Sequence, residues 1–337
     1  DCLLSRGLGD VYKRQPLVLA AYLVLFLAAF IGLAPLFQIV APLHAAGLDA
    51  RAKTEILSRA MVWGAVTAAV ANIAMGAISD RTRSRFGRRR PWIALGAVLT
   101  VLSYVGIWRS ATPGQFVWAI IGFQLAFNVL MAPLSAVFAE RVPLALRSTV
   151  SALMGLSYPL AVALGSSLMA LGPQHEPGRL ALLAGVLLAA AALFLIVFDE
   201  PASTEGPLSQ AIPPAVARGA VFDPFRSRNF VVVWTCRLLI ATGYALVSVY
   251  LLYFITDAVG WAGRTPESAH ALLTGVGFGG VVIVAGLVAV FGRRIRRRQP
   301  VALIGAALLC GATLVLALTP SWIVAVVAFA AYGLGQG

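Results

Sequence analysis

An all-α polytopic membrane bundle is the fold class that this sequence predicts, and three observations predict it. Of the 337 residues, 60% are hydrophobic and only 12% are charged, against ~45–50% and ~25% in a soluble domain. The apolar residues fall in repeated blocks of about 20, the length that crosses a bilayer as a helix. Within those blocks apolar and polar residues do not alternate, which excludes the ~10-residue strands of a transmembrane β-barrel.

Taken in order, the first spanning helix is expected over Leu17–Pro42, the second over Ile56–Ser79, the third over Trp92–Trp108 and the fourth over Gln115–Ala139. The fifth is expected over Ser148–Leu171 and the sixth over Leu180–Phe198. Asp199–Arg228 then breaks the apolar pattern with Pro201, Pro207, Pro213, Pro214 and Pro224, and reads as a linker between two bundles. Beyond it the seventh span is expected over Asn229–Ala258, the eighth over Ala271–Phe291, the ninth over Val301–Leu318, and a tenth from Trp322. The predicted organisation is a six-helix bundle over 16–198, a cytoplasmic linker over 199–228 and a partial second bundle over 229–337. Asp10–Gln15 resembles a translated sequencing adapter, so residues 1–15 are set aside from fold reasoning, the alternative being a genuine cytoplasmic tail. The chain stops at Gly337 inside an apolar block, and both ends lead to the expectation of a fragment of a longer gene.

Net charge is +13, from 26 Lys and Arg against 13 Asp and Glu. In a soluble protein such an excess points to nucleic acid; here topology explains it, and no nucleic-acid partner is expected. With the N-terminus inside, the inner loops hold Arg81 to Arg90, Arg141, Arg147, Arg218, Arg226, Arg228 and the run Arg293 to Arg298. The outer loops hold only Arg51, Lys53, Arg59, Arg109, Arg179 and Arg264. Basic residues accumulate on the untranslocated side, so an N-in integral protein of a bacterial inner membrane is expected. Cys2, Cys236 and Cys310 have no paired spacing, which argues against a disulfide or metal framework.

The most specific stretch is Gly76-Ala-Ile-Ser-Asp80-Arg-Thr-Arg-Ser-Arg-Phe-Gly87-Arg-Arg-Arg-Pro91, six arginines and an aspartate between the second and third spans. It resembles the signature loop of the major facilitator superfamily, and its wording resembles the glycoside–pentoside–hexuronide cation symporters and the sucrose transporters. A fainter echo, Gly292-Arg-Arg-Ile-Arg-Arg-Arg298-Gln-Pro300, follows the eighth span, as two parallel six-helix repeats require. The resemblance implies a fold of two six-helix bundles, with the last helices lying beyond Gly337. It implies secondary transport of a small polar solute by alternating access, sugars or glycosides first, with proton or sodium as candidate coupling ions, membrane lipids around it and a monomeric state. It also implies a cytoplasmic latch. Gly76 would allow close helix packing between the bundles. Asp80 would sit at a helix N-terminus of the opposite bundle, paired with Arg81 or Arg88, with Gly87 in the same loop. The bland alternative is a basic loop attracted to anionic headgroups.

Ionisable groups inside a bilayer are functional candidates, and few occur here. No acidic residue lies mid-span. The resembled symporters carry an Asp in their cation site four residues before the loop glycine; here that position is Asn72, whose amide can ligate sodium but cannot titrate. Arg237, in the cytoplasmic part of the seventh span, is a candidate for a substrate carboxylate or phosphate, or for snorkelling to the interface. Gln38, Asn72, Gln124 and Asn128 are candidates to face a central cavity, Gln124 and Asn128 sharing one helix face. Tyr244 and Tyr250 are candidates to stack on sugar rings. The competing role for these amides and tyrosines is to bridge helices and anchor interfaces. Pro35, Pro133 and Pro159 are expected to kink or break their helices. Glu55 and Arg59 are expected to pair at i,i+4.

No enzyme and no cofactor are expected. His44, His175 and His270 lack ligand spacing, no phosphate loop with Lys and Ser/Thr occurs, and no nucleophile is placed beside a base. The fifth span, with Gly155, Pro159 and Gly165, does not complete the Gly-Pro motif of antiporters in the superfamily. An exporter of drugs or metabolites remains the alternative on this fold, and a polytopic membrane enzyme or lipid-handling protein the alternative outside it.

Overall fold

The computed structural model describes residues 2–200, 226–259, 265–291, 299–318 and 321–336. Helices account for the secondary structure of these residues, with no strand among them. Most of the expected linker, Arg264 and the loop with Arg293 to Arg298 lie outside the described residues.

Each expected span is a helix. α1 begins as Cys2–Pro35, passes through a five-residue π-helical turn, Leu36–Val40, and continues as Ala41–Leu48. The reason is local. Pro35 has no N–H for the helical ladder, and just beyond it the ladder shifts to the wider register, with the N–H of Ala41 donating to the carbonyl of Leu36. α2 is Lys53–Arg81, α3 Arg90–Trp108, α4 Pro113–Arg141, α5 Arg147–Leu171 and α6 Glu176–Val197. α7 is Arg228–Phe254 with a π-helical extension Ile255–Val259, α8 Pro266–Phe291, α9 Gln299–Leu318 and α10 Trp322–Gln336. Pro133 and Pro159 lie within continuous helices, so of the three expected proline breaks only Pro35 changes the helix type. α4 starts on a reciprocal cap: the Thr112 hydroxyl accepts from the N–H of Gln115 at 3.3 Å, and the Gln115 amide oxygen accepts from the N–H of Ala111 at 2.9 Å. Pro113 at the first helical position needs no partner for a missing N–H.

Two apolar cores organise the helices. The larger joins α1 to α6 around Tyr22, Tyr104, Phe116, Phe123 and Phe194. The smaller joins α7 to α10 around Leu251, Leu273, Leu316, Ala325 and Phe329. In a bilayer no hydrophobic force pulls helices together, so close packing and interhelical hydrogen bonds must do so. Gly96 supplies one close approach, because a Cβ there would collide with the backbone of Leu130 on α4, and Gly333 another, against the backbone of Gly277 on α8. The Tyr104 hydroxyl donates to the carbonyl of Gly32 at 2.9 Å, tying α3 to α1. Between the cores, α5 packs on α8, and the π-turn and last segment of α1 meet α7.

The two ends of the bundle differ. The basic end carries the α2–α3 loop; the far end carries the α1–α2, α3–α4, α5–α6 and α7–α8 connections. In the basic loop Gly87 has φ +89°, a left-handed conformation that side chains resist. The Glu200 carboxylate fills the space where a Cβ would stand, and accepts from the N–H groups of Arg89 and Arg90 at 2.9 and 3.1 Å. Gly87→Ala is therefore expected to cost about 1–2 kcal/mol of stability from the backbone conformation, and to displace Glu200 as well. Thermal unfolding in detergent checks this, and an unchanged melting temperature refutes it.

Candidate functional site

A cavity of about 30 Å³ lies midway along the bundle, between the two cores. α1 contributes Gln38 from its π-turn; α7 contributes Tyr244 and Ser248; α8 contributes Thr274; α10 contributes Phe329, Tyr332 and Gln336. Tyr244 sits edge-on to Tyr158 of α5 at 5.7 Å and stacks on Tyr332 at 6.2 Å. The Tyr158–Tyr244 contact joins the two bundles at mid-height. Gln38 is 2% exposed, and its side chain meets Tyr158 of α5.

The far end is closed by bonds between the bundles. Arg179, at the start of α6, meets Glu267, at the start of α8, at 2.7 Å, with side-chain exposures of 6% and 9%. Gln174 accepts from the same guanidinium at 3.1 Å. Lys53 pairs with Asp257 at 2.7 Å and lies over the Tyr253 ring. The Tyr253 hydroxyl donates to the carbonyl of Pro42 at 2.8 Å, Tyr250 and Ser58 share a hydrogen bond of 2.6 Å, and Ser166 bonds His270 at 3.0 Å. A polar chamber of about 310 Å³, lined by Gln174, Glu176, Arg179 and Glu267, sits at this closure. By contrast, α7 is exposed throughout residues 228–243, its basic-end half.

At the basic end the charges form a network within the first bundle. Arg89, with 3% side-chain exposure, reaches Asp80 at 2.5 Å, Glu140 at 2.6 Å and the Ser79 hydroxyl at 2.5 Å. Arg88 adds a longer contact to Glu140, 3.4 Å. Burial opposes the charge of Arg89, but hydrogen bonds and attraction from Glu140 and Asp80 outweigh it and raise its pKa. The guanidinium therefore stays charged across the physiological range.

The structure sorts the sequence candidates. Gln38 and Tyr244 line the central cavity. Tyr250 instead joins the far-end closure. Asn72, Asn128 and Gln124 come together along the α2–α4 seam: the Asn72 amide donates to the Asn128 side-chain oxygen at 3.0 Å, and Asn128 donates to the Gln124 carbonyl at 2.8 Å. Arg237 is exposed on the basic-end half of α7, away from the cavity lining. Asp80 pairs with Arg89 rather than with Arg81 or Arg88. Open space surrounds the position of a Cβ on Gly76, so no close packing rests on that glycine in this state. The expected pair Glu55–Arg59 forms at 2.7 Å. Sequence reasoning missed Arg89 as the hub, and missed Arg179, Glu267, Lys53 and Asp257. The last four read as ordinary loop charges, and no sequence signal pairs residues so far apart.

Two helical bundles meeting over a mid-height polar and aromatic cavity, tied at the far end by the bonds described, are the architecture of a secondary transporter. A family model described as MFS/sugar transport protein matches residues 15–337, and the chain belongs to that family of the major facilitator superfamily. Among solved structures, the nucleoside transporter NupG is 12% identical with a TM-score of 0.63, over 94% of this chain and 80% of that one. The partially occluded, inward-open xylose transporter XylE from E. coli is 16% identical with a TM-score of 0.58, over 96% and 84%. A bacterial homolog of the human lysosomal transporter Spinster, inward-facing and unoccupied, is 18% identical with a TM-score of 0.60, over 96% and 74%. These likenesses establish the fold. No curated protein matches the chain.

Proposed function

We propose that this integral membrane transporter moves a sugar or glycoside by alternating access, with its basic end in the cytoplasm of a bacterial inner membrane. The observation that carries the reading is the asymmetry around the central cavity. The far end is closed by the Arg179–Glu267 and Lys53–Asp257 pairs, while the basic-end half of α7 is exposed. Such a state is open to the cytoplasm. Rocking one bundle against the other opens the far end and shuts the basic end. In that second state Asp80, 61% exposed and held by Arg89, is free to meet a helix N-terminus of the second bundle. Arg81, exposed beside it, then serves as a second contact to the same partner or to lipid headgroups.

Cation symport belongs to the proposal with sodium favoured over the proton, because the Asn72–Asn128 pair offers amide oxygens and no titratable group. Uptake of a labelled sugar panel by transport-deficient cells tests the reading, with sodium varied and with or without a protonophore. Uptake of at least one sugar is expected, and its loss on removing sodium supports symport. No uptake of any sugar, in cells where the protein reaches the membrane, overturns the sugar assignment.

A further inference from the structure

His270 sits in the seam where α8 packs on α5, and it is fully buried there. Its Nδ1 meets the Ser166 hydroxyl of α5 at 3.0 Å. Its Nε2 has no hydrogen-bond partner among the described residues. One turn before it on α8, Glu267 lines the far-end chamber; one turn after it, Thr274 lines the central cavity. The ring therefore stands between the two spaces, where the bundles must part for the far end to open.

No charge in this seam is free to balance an imidazolium. On α8 itself the only charged residue is Glu267, and Arg179 of α6 already engages it. Of the elements packed on α8, α5 carries only Arg147, at the basic end, and α10 carries none. The charges of α7 are Arg228 and Arg237, both in its basic-end half, and Asp257 of its π-helical extension is held by Lys53. The other titratable groups of these elements are tyrosines and Cys236, which are neutral near pH 7. A protonated ring shut into the seam would be a buried charge without a partner, which is costly. Once the far end opens, water reaches the seam, and an imidazole in water takes up a proton near pH 6.5.

We propose that His270 is a proton-binding site of the far-end-open state: a proton taken up there from far-side water must return to that water before α8 closes on α5, so acid on the far side holds this end open. The inference rests on the alternating-access reading and goes beyond it. It leaves the sodium preference untouched, because the proton goes back to the side it came from.

The test follows the far-end distance between spin labels at Arg51 and Ala258, both exposed, in a cysteine-free background at constant sodium. Between pH 7.5 and 5.5 the ratio of open to closed is expected to rise about tenfold, as an imidazole that binds its proton only in the open state requires. His270→Asn keeps a partner for Ser166 but takes no proton, and its ratio is expected to stay constant over the same range. A rise that survives in His270→Asn overturns the inference and points to His44, the imidazole held by Glu176 and Ser110 within the first bundle. A second measurement needs only the parent protein. In oriented vesicles, acid on the far side is expected to slow uptake by up to about tenfold, and the same acid on the basic side to spare it. Equal slowing from either side, or faster uptake under far-side acid as proton symport gives, overturns the site. If the parent's distances shift with sugar but not with pH, the proton site fails and the transporter reading stands; if they shift with neither, both fail.

Discussion

Arg179→Met is expected to unlock the far end and abolish net uptake. The Arg179–Glu267 pair is buried on both sides, at 6% and 9% side-chain exposure, and spans the two bundles. Removing one member of such a pair leaves an uncompensated buried charge, at a cost of about 3–5 kcal/mol. The cost falls only on the far-end-closed state, because opening returns Glu267 to water. A shift of that size changes the ratio of closed to open by a factor of roughly a hundred to several thousand. Gln174 and the Lys53–Asp257 pair, 22% and 53% exposed, cannot offset it, since exposed pairs contribute about 1 kcal/mol or less. The double variant Arg179→Met with Glu267→Met replaces the pair by apolar groups and is expected to close again, with partial recovery of uptake. Labelling of a cysteine placed at Val40 or Leu43, in the chamber wall, reads the outcome. If the single variant stays as unreactive as the parent and transports normally, the pair is not a gate.

Arg89→Gln is the second large effect. One guanidinium holds Asp80, Glu140 and the Ser79 hydroxyl, so its loss leaves two carboxylates facing each other. Those carboxylates are 61% and 30% exposed, and water screens much of the repulsion, which puts the cost at about 1–3 kcal/mol, below the fully buried range. Lower yield, a lower melting temperature and lost transport are expected together. Arg89→Lys lacks the planar fork that reaches three partners and is expected to recover only part of each. Asp80→Asn separates the two roles of the network. The exposed aspartate adds little to folding, so its variant is expected to reach the membrane normally and to lose transport. Parent-like uptake in Asp80→Asn would remove the latch. Because the Arg89 pKa is raised, the guanidinium at the centre of this network is expected to stay charged, and no pH switch is assigned to it.

The helices were legible because blocks of about 20 apolar residues have one solution in a bilayer. The placement of Gln38 was only half legible. Pro35 marks an irregularity in α1, but not that the ladder beyond it widens to a π-turn and leaves Gln38 on the cavity wall. Tyr244 and Tyr250 look alike in sequence, yet six residues on a helix are about 9 Å of rise. That rise sets one against the cavity and the other in the far-end closure. The basic loop announced itself by composition, but six arginines compete for Asp80. Arg89 wins because the left-handed turn at Gly87 and the Glu200 carboxylate fix the backbone beside it. The Asn72–Asn128 bond was foreshadowed only as two amides on neighbouring spans. Arg179 and Glu267 meet across 88 positions, and only the docking of α5 on α8 brings them together.

The central claim, alternating access around the mid-height cavity, is tested most directly by electron–electron distances between spin labels in the reconstituted protein. One pair at Arg51 and Ala258, both exposed at the far end, and one at Arg83 and Arg228, both exposed at the basic end, would be followed with and without the sugar that the protein takes up. The account predicts two populations at each end that shift in opposite senses, the far-end pair lengthening as the basic-end pair shortens. A single, unchanged distance at both ends during active uptake, or two ends that open together, would contradict it.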